Sequence, residues 1–263
     1  MNLELSEFIV KAFFSFKAQN SVEEMWKPPI MAAVSADHPR IPSLKQAVSS
    51  DHLLPEELLT EAKSIVVFFV PFDKRIIDSN LKGESASKEW AQAYVLTKEL
   101  TGFICEQAGI FLNMHGFRAA AITPAQNFDE VNLTSVWSQR HIAWIAGLGS
   151  LGINNMLITP AGCCGRVGSF VTDADCQQLG IPAMVSGNNP PPEKCLNKIN
   201  GSCGVCVKKC FAGAYKKDGS FDRHKCYEVC LKNAELYKDI GHVDACGKCL
   251  VGLPCSEREP LLC

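Results

Sequence analysis

The apolar positions of this chain follow helical and strand rhythms until, near residue 187, a pattern set by cysteines replaces them. Leu5, Phe8, Ile9, Ala12, Phe13 and Phe16 recur at three- and four-residue intervals, so residues 3–17 predict an amphipathic helix. Ser64 to Pro71 (SIVVFFVP) is an unbroken β-branched and aromatic run, the pattern of a strand covered on both faces. Pro55-Glu56-Glu57 places proline early and acids beside the positive end of a helix dipole, as a first helical turn does. Glu84 to His115 reads as a long helix with a break near Gly102 or Gly109, and Trp137 to Ala146 as a shorter one. Phe117 to Ile122, closed by Thr123-Pro124, and Gly168 to Thr172 read as further strands. Strands alternating with long helices predict a sheet covered by helices, and the chain as a whole an α+β protein.

The rhythm stops at Gly187-Asn188-Asn189-Pro190-Pro191-Pro192, where prolines disfavour helix and ladder pairing alike. Two domains are therefore expected, an α/β domain over 1–187 and a cysteine-rich domain over 188–263. At 263 residues and 47% hydrophobic content the chain can bury a sizeable core. Runs such as Ile65 to Phe69 are far too short to cross a bilayer. The start, Met1-Asn2-Leu3-Glu4-Leu5-Ser6-Glu7, is acidic and has neither a basic segment nor a small-residue cleavage site. The expectation is a cytoplasmic protein in a reducing compartment. A net charge of −2 without any dense Lys/Arg run argues against a nucleic-acid binder by bulk electrostatics, though a tRNA-sized substrate stays open.

Nine of the 14 cysteines lie between Cys195 and Cys255, and eight of those form two matching quartets. The first is Cys195, Cys203, Cys206 and Cys210; the second is Cys226, Cys246, Cys249 and Cys255. A quartet whose last cysteine stands apart suits a ferredoxin-like pair of [4Fe-4S] clusters, in which that cysteine ligates the other cluster. One cluster would then take Cys195, Cys203, Cys206 and Cys255, and the other Cys226, Cys246, Cys249 and Cys210. A secreted disulfide scaffold is the wrong compartment for this chain. A single four-thiolate zinc ribbon leaves Cys195, Cys210, Cys226 and Cys255 unused. Cys230 competes with Cys226 as a ligand, and Cys105, Cys176 and Cys263 have no partner spacing. From Cys195 onward 11 Lys/Arg face eight Asp/Glu, which either offsets cluster charge or forms a plain solvated surface.

Ala146-Gly147-Leu148-Gly149-Ser150-Leu151-Gly152 contains the glycine spacing of a dinucleotide site, but it follows a helix rather than a strand. Glycines this dense let backbone approach something flat or bulky. Arg140 with Gly147, Gly149, Gly152, Asn154 and Pro160, then Gly162 and Val167-Gly168-Ser169-Phe170-Val171-Thr172-Asp173, resembles the cofactor-binding stretch of the epoxyqueuosine reductase family. The order of the cysteine quartets, and the basic residue before Cys226, resemble that family too. Its members are corrinoid-dependent iron–sulfur reductases, distantly related to reductive dehalogenases. The resemblance implies an oxidoreductase that passes electrons through two [4Fe-4S] clusters to a bound cobalamin and on to a substrate. It implies cobalamin contacts from Arg140, Gly147, Gly149, Gly152, Asn154, Gly162 and Gly168, and an external donor such as a ferredoxin or flavodoxin. The substrate would be a small molecule or a corrinoid protein. The alternative is an electron-transfer protein or reductive activator of a partner corrinoid protein.

Two departures accompany the resemblance. Where the family carries a proton-donating aspartate, this chain reads Asn132-Leu133-Thr134, with Asp129 and Glu130 the nearest acids. The chain also looks like a short form without the family's C-terminal extension. Cys163-Cys164 offers a redox pair or two buried hydrophobes, and His141 an axial ligand or a structural histidine.

Overall fold

A computed structural model describes residues 3–22, 24–122, 128–182, 184, 189–216 and 220–261. Residues 185–188, and with them the expected boundary at 187, lie outside the described residues, as do Thr123-Pro124 and Cys263. The helices are α1 (Leu5–Gln19), α2 (Leu44–Ala47), α3 (Pro55–Leu58), α4 (Lys74–Ser79), α5 (Lys88–Met114), α6 (Gln139–Ile145), α7 (Leu196–Asn200), α8 (Val205–Lys208) and α9 (Arg223–Leu236). The strands are β1 (Ile30–Ser35), β2 (Ser64–Pro71), β3 (Ala119–Ala120), β4 (Phe128–Asp129), β5 (Thr134–Ser135), β6 (Ser150–Leu151), β7 (Leu157–Ile158) and β8 (Gly165–Thr172). The main sheet runs β1-β2-β8-β3 and every pairing in it is antiparallel.

All eight residues of β2 are buried. Its alternate side chains feed two cores: Val66, Phe68 and Val70 pack with α1 and α5, while Ile65, Val67 and Phe69 pack with α6 and Trp137. Period-two alternation inside a strand covered on both faces produces this division. Cys195, Leu250 and Val251 belong to the α1–α5 core, so the cysteine-rich part shares apolar packing with the sheet. Helix α5 runs unbroken through Gly102 and Gly109. Of the predicted 117–122 strand, only Ala119–Ala120 pair with β8.

Candidate metal centres and the cavity beside them

Folding sorts the cysteines across their sequence order. Cys195, Cys203, Cys206 and Cys255 line one small cavity, with Gly152, Asn154 and Ile158 on its wall. Cys210, Cys226, Cys230, Cys246 and Cys249 line a second cavity of about 510 Å³. The last cysteine of each sequence quartet thus stands with the first three of the other. Burial pushes the Cys206 thiol up to about 11 and the Cys249 thiol up to about 12. Such thiols become thiolates only where bound metal supplies the compensating charge. Cys226 differs: hydrogen bonding from the Cys230 thiol and the nearby Arg140 guanidinium hold it down to about 7 despite burial.

Three buried asparagines hold the carbonyls of the Cys246–Cys249 loop. Asn233 Nδ2 donates to Ala245 O (2.9 Å), Asn80 Nδ2 to Cys246 O (3.0 Å) and Asn154 Nδ2 to Cys249 O (2.9 Å). Asn233 is 1% exposed and Asn80 fully buried, so a side-chain amide left without its carbonyl could not turn to water instead. Asn233→Ala is therefore expected to destabilise the protein by about 1–3 kcal/mol, the cost of an unpaired buried polar group. Urea unfolding measures it, and a change below a few tenths would show the clamp to be dispensable.

The glycine loop has local duties. Gly147, at φ 79°, ends α6 in a left-handed cap: its N–H donates to Trp144 O (3.0 Å) and that of Leu148 to Ala143 O (2.9 Å). A Cβ on Gly149 would lie 2.3 Å from Ile158 O, and one on Gly152 would lie 2.7 Å from Asn154 Oδ1. Gly162, at φ 87°, lets its strand approach the cysteine-rich part, with Ser256 O 2.3 Å from a Cβ there. The Gly168 site is filled by the Phe68 ring, 2.4 Å away. None of these five glycines borders the larger cavity, and Asn154 borders the smaller one; of the sequence-predicted cofactor contacts only Arg140 lines the larger.

The larger cavity is walled by Phe69, Phe72, Trp90, Tyr94 and Trp137 on one side and by the cysteines on the other. Tyr94 Oη donates to Asp244 Oδ1 (2.7 Å), and the Arg166 guanidinium lies 4.0 Å from the Tyr94 ring centre. Burial raises the Tyr94 phenol, which keeps it protonated. The hydroxyl of Tyr215, also on the wall, is buried and has no hydrogen-bond partner among the described residues. Asp129 is committed elsewhere, accepting from Asn132 Nδ2 (2.6 Å) and from the N–H groups of Val131 and Asn132 within its own turn. Those bonds hold its carboxyl low and ionised. Sequence reading did not mark Tyr94, Arg166 or Asp244, because they come from three separate segments that no spacing links.

Of the remaining thiols Cys163 also borders the larger cavity, while Cys105, Cys164 and Cys176, with His141, sit in packed surroundings. Cys105 is pushed up to about 12 by burial. Cys176 donates to Ser64 Oγ (3.2 Å) and Cys164 to Leu250 O (3.1 Å). Cys163 lies 4.0 Å from the Cys255 sulfur. His141 Nδ1 is 2.7 Å from Ser138 Oγ, and burial, then the positive charges of Arg140 and His52, hold it down at about 4. The unfolded chain binds that proton near 6.5 and the folded one only near 4, so stability falls as the pH drops through this window. His141→Gln is expected to shrink the loss of Tm between about pH 7 and about pH 5; an unchanged loss would assign the acid sensitivity to other groups.

No protein-family model matches the chain. An epoxyqueuosine reductase of Bacillus anthracis is 25% identical over 217 residues, covering 76% of this chain and 50% of the relative. The chain thus spans half the length of the curated relative it matches. Among solved structures, an epoxyqueuosine reductase with an epoxyqueuosine-modified tRNA-Tyr stem loop aligns at TM-score 0.56 and 17% identity, over 99% of this chain and 68% of that one. The epoxyqueuosine reductase of Streptococcus thermophilus aligns at 0.53 and 17%, over 95% and 68%. A reductive dehalogenase described in terms of B12-dependent dehalogenation aligns at 0.59 and 15%, over 88% and 30%. The chain is similar in sequence to an epoxyqueuosine reductase and shares its fold with epoxyqueuosine reductases and with the reductive dehalogenases.

Proposed function

We propose that the protein is an iron–sulfur reductase that carries electrons through two [4Fe-4S] clusters to a cobalamin held in the larger cavity. The observation that carries this reading is the crossed convergence of eight cysteines, with one group forming a wall of that cavity. The cavity also suits a wide, flat cofactor with polar arms: Trp90, Tyr94 and Trp137 supply flat walls. Arg140, Arg166 and the buried Tyr215 hydroxyl supply groups for its edge. When bound, reduced cobalamin would supply a strongly nucleophilic metal.

The chain's own residues would do the rest. The apolar walls exclude water. Tyr94 Oη holds the proton that the missing aspartate would otherwise supply, Arg166 over its ring stabilises the phenolate left behind, and Asp244 orients the hydroxyl. A low-potential carrier such as a ferredoxin or flavodoxin would deliver electrons, and the substrate, small molecule or tRNA-borne, would meet Tyr94 in the cavity. Asp129, locked in its turn, takes no part.

The test is equilibrium binding of hydroxocobalamin to anaerobically reconstituted protein, followed by visible absorption. Stoichiometric binding is expected, weakened by Arg140→Glu. If fully iron-loaded protein binds no cobalamin at high micromolar concentration, the chain is instead an electron donor to a partner corrinoid protein.

A further inference from the structure

The two cysteine groups sit in unequal electrostatic surroundings. Lys194 and Lys198, on the segment that opens the first group, are paired with Glu259 and Glu193, so their charge is matched locally. The second group has one acid on its cavity wall, Asp244, which accepts from Tyr94 Oη, and two cations that pair with no carboxylate among the described residues. Lys248, between Cys246 and Cys249, is 5% exposed, and its Nζ donates to the carbonyls of Asn80 (2.9 Å) and Lys82 (2.6 Å). Arg140 donates to Asn155 O (2.8 Å) and faces Cys249 and Cys226 across the cavity wall that it shares with Lys248. Among the described residues neither cation has an acid within ion-pair distance. A buried lysine with only carbonyls for company is costly unless a further negative group lies beside it.

We propose that Lys248 and Arg140 are positioning residues that raise the reduction potential of the centre at Cys210, Cys226, Cys246 and Cys249 above that of the centre at Cys195, Cys203, Cys206 and Cys255. The inference rests on the two-cluster reading given above. Adding an electron makes a thiolate-bound cluster more negative, and fixed positive charge in a low-dielectric surrounding favours that state. One electron leaves the first centre, which is oxidised, and enters the second, which is reduced; no proton need move. The unequal charges thus direct electrons from an external low-potential donor toward the cavity.

The test uses full-length wild type, Lys248→Met, Arg140→Gln and the charge-keeping Arg140→Lys, reconstituted anaerobically and assayed for iron. Reductive titration followed by electron paramagnetic resonance then gives the midpoint of each centre. Two midpoints are expected. Lys248→Met and Arg140→Gln should each lower the upper one by about tenfold in the one-electron equilibrium constant, about 59 mV. The lower midpoint should stay in place, and Arg140→Lys should restore most of the shift. If Lys248→Met fails to load iron, the two Arg140 variants decide alone. Iron-loaded variants with both midpoints unmoved, or with only the lower one moved, overturn the proposal. Wild type that holds no iron overturns the two-cluster reading itself.

Discussion

Replacing Cys246 with alanine is expected to halve the iron of the anaerobically reconstituted protein, from about eight to about four atoms per chain. Cys246 stands with Cys210, Cys226 and Cys249 on the larger cavity, so its loss strikes that centre alone. Cys203→Ala should remove the other four, because Cys203 shares the smaller cavity with Cys195, Cys206 and Cys255. Cys230 lies on the same wall as Cys246, but its hydrogen bond with Cys226, and then burial, push its thiol up, so rescue by Cys230 should be incomplete. Stability should fall with the iron, since small metal-built segments draw much of their folding energy from the metal. Iron and labile sulfide assays with thermal unfolding would measure both effects. Wild type carrying stoichiometric zinc and no sulfide would refute the cluster reading.

Gly162→Val is expected to destabilise the protein by roughly 2–5 kcal/mol, combining left-handed backbone strain with overpacking. At φ 87° a Cβ would lie 2.3 Å from Ser256 O and 2.6 Å from Arg258 N. Both are backbone atoms and cannot swing aside. The strand end here is stitched to the cysteine-rich part by Cys163 N–H to Cys255 O (2.8 Å) and Cys164 N–H to Ser256 O (3.1 Å). The substitution should therefore loosen the smaller cavity as well as the fold. Gly102→Ala is the contrast: nothing lies within 4 Å of its Cβ site in the middle of α5. That change should stabilise by about 1 kcal/mol through helix propensity. Urea denaturation of the two variants side by side is the measurement, and equal effects would show that the close approach at Gly162 is not what matters there.

Much of this architecture is written in local pattern. The run Ser64–Pro71 announces β2 to the residue, because burial on both faces leaves no polar position to blur it. Strand β1, Ile30–Ser35, escaped notice since two of its six residues are alanines and only two are fully buried. The predicted break in α5 does not occur: a mid-helix glycine costs about 1 kcal/mol, less than the packing of Trp90, Leu100, Ile104 and Leu112 returns. Cysteine spacing was the clearest site signal, because ligands to one centre must be close in space. The glycine signal was real but its cause was local, a helix stop at Gly147 and close packing at Gly149, Gly152, Gly162 and Gly168. Asn80, Asn233 and Lys248 were invisible in the sequence, as a single polar residue reveals its burial only after folding.

The exchange of Cys210 and Cys255 between the two groups has a consequence for biosynthesis. On the ribosome Cys195, Cys203 and Cys206 emerge early, yet the cavity they line is closed by Cys255 at the far end of the cysteine-rich part. Cys210, made before any other thiol of its own group, must wait for Cys226, Cys246 and Cys249. The later-starting group is therefore complete once Cys249 has emerged, whereas the group begun by Cys195 has to wait for Cys255. Shortening the chain just ahead of Cys255 would leave the earlier-made centre as the incomplete one.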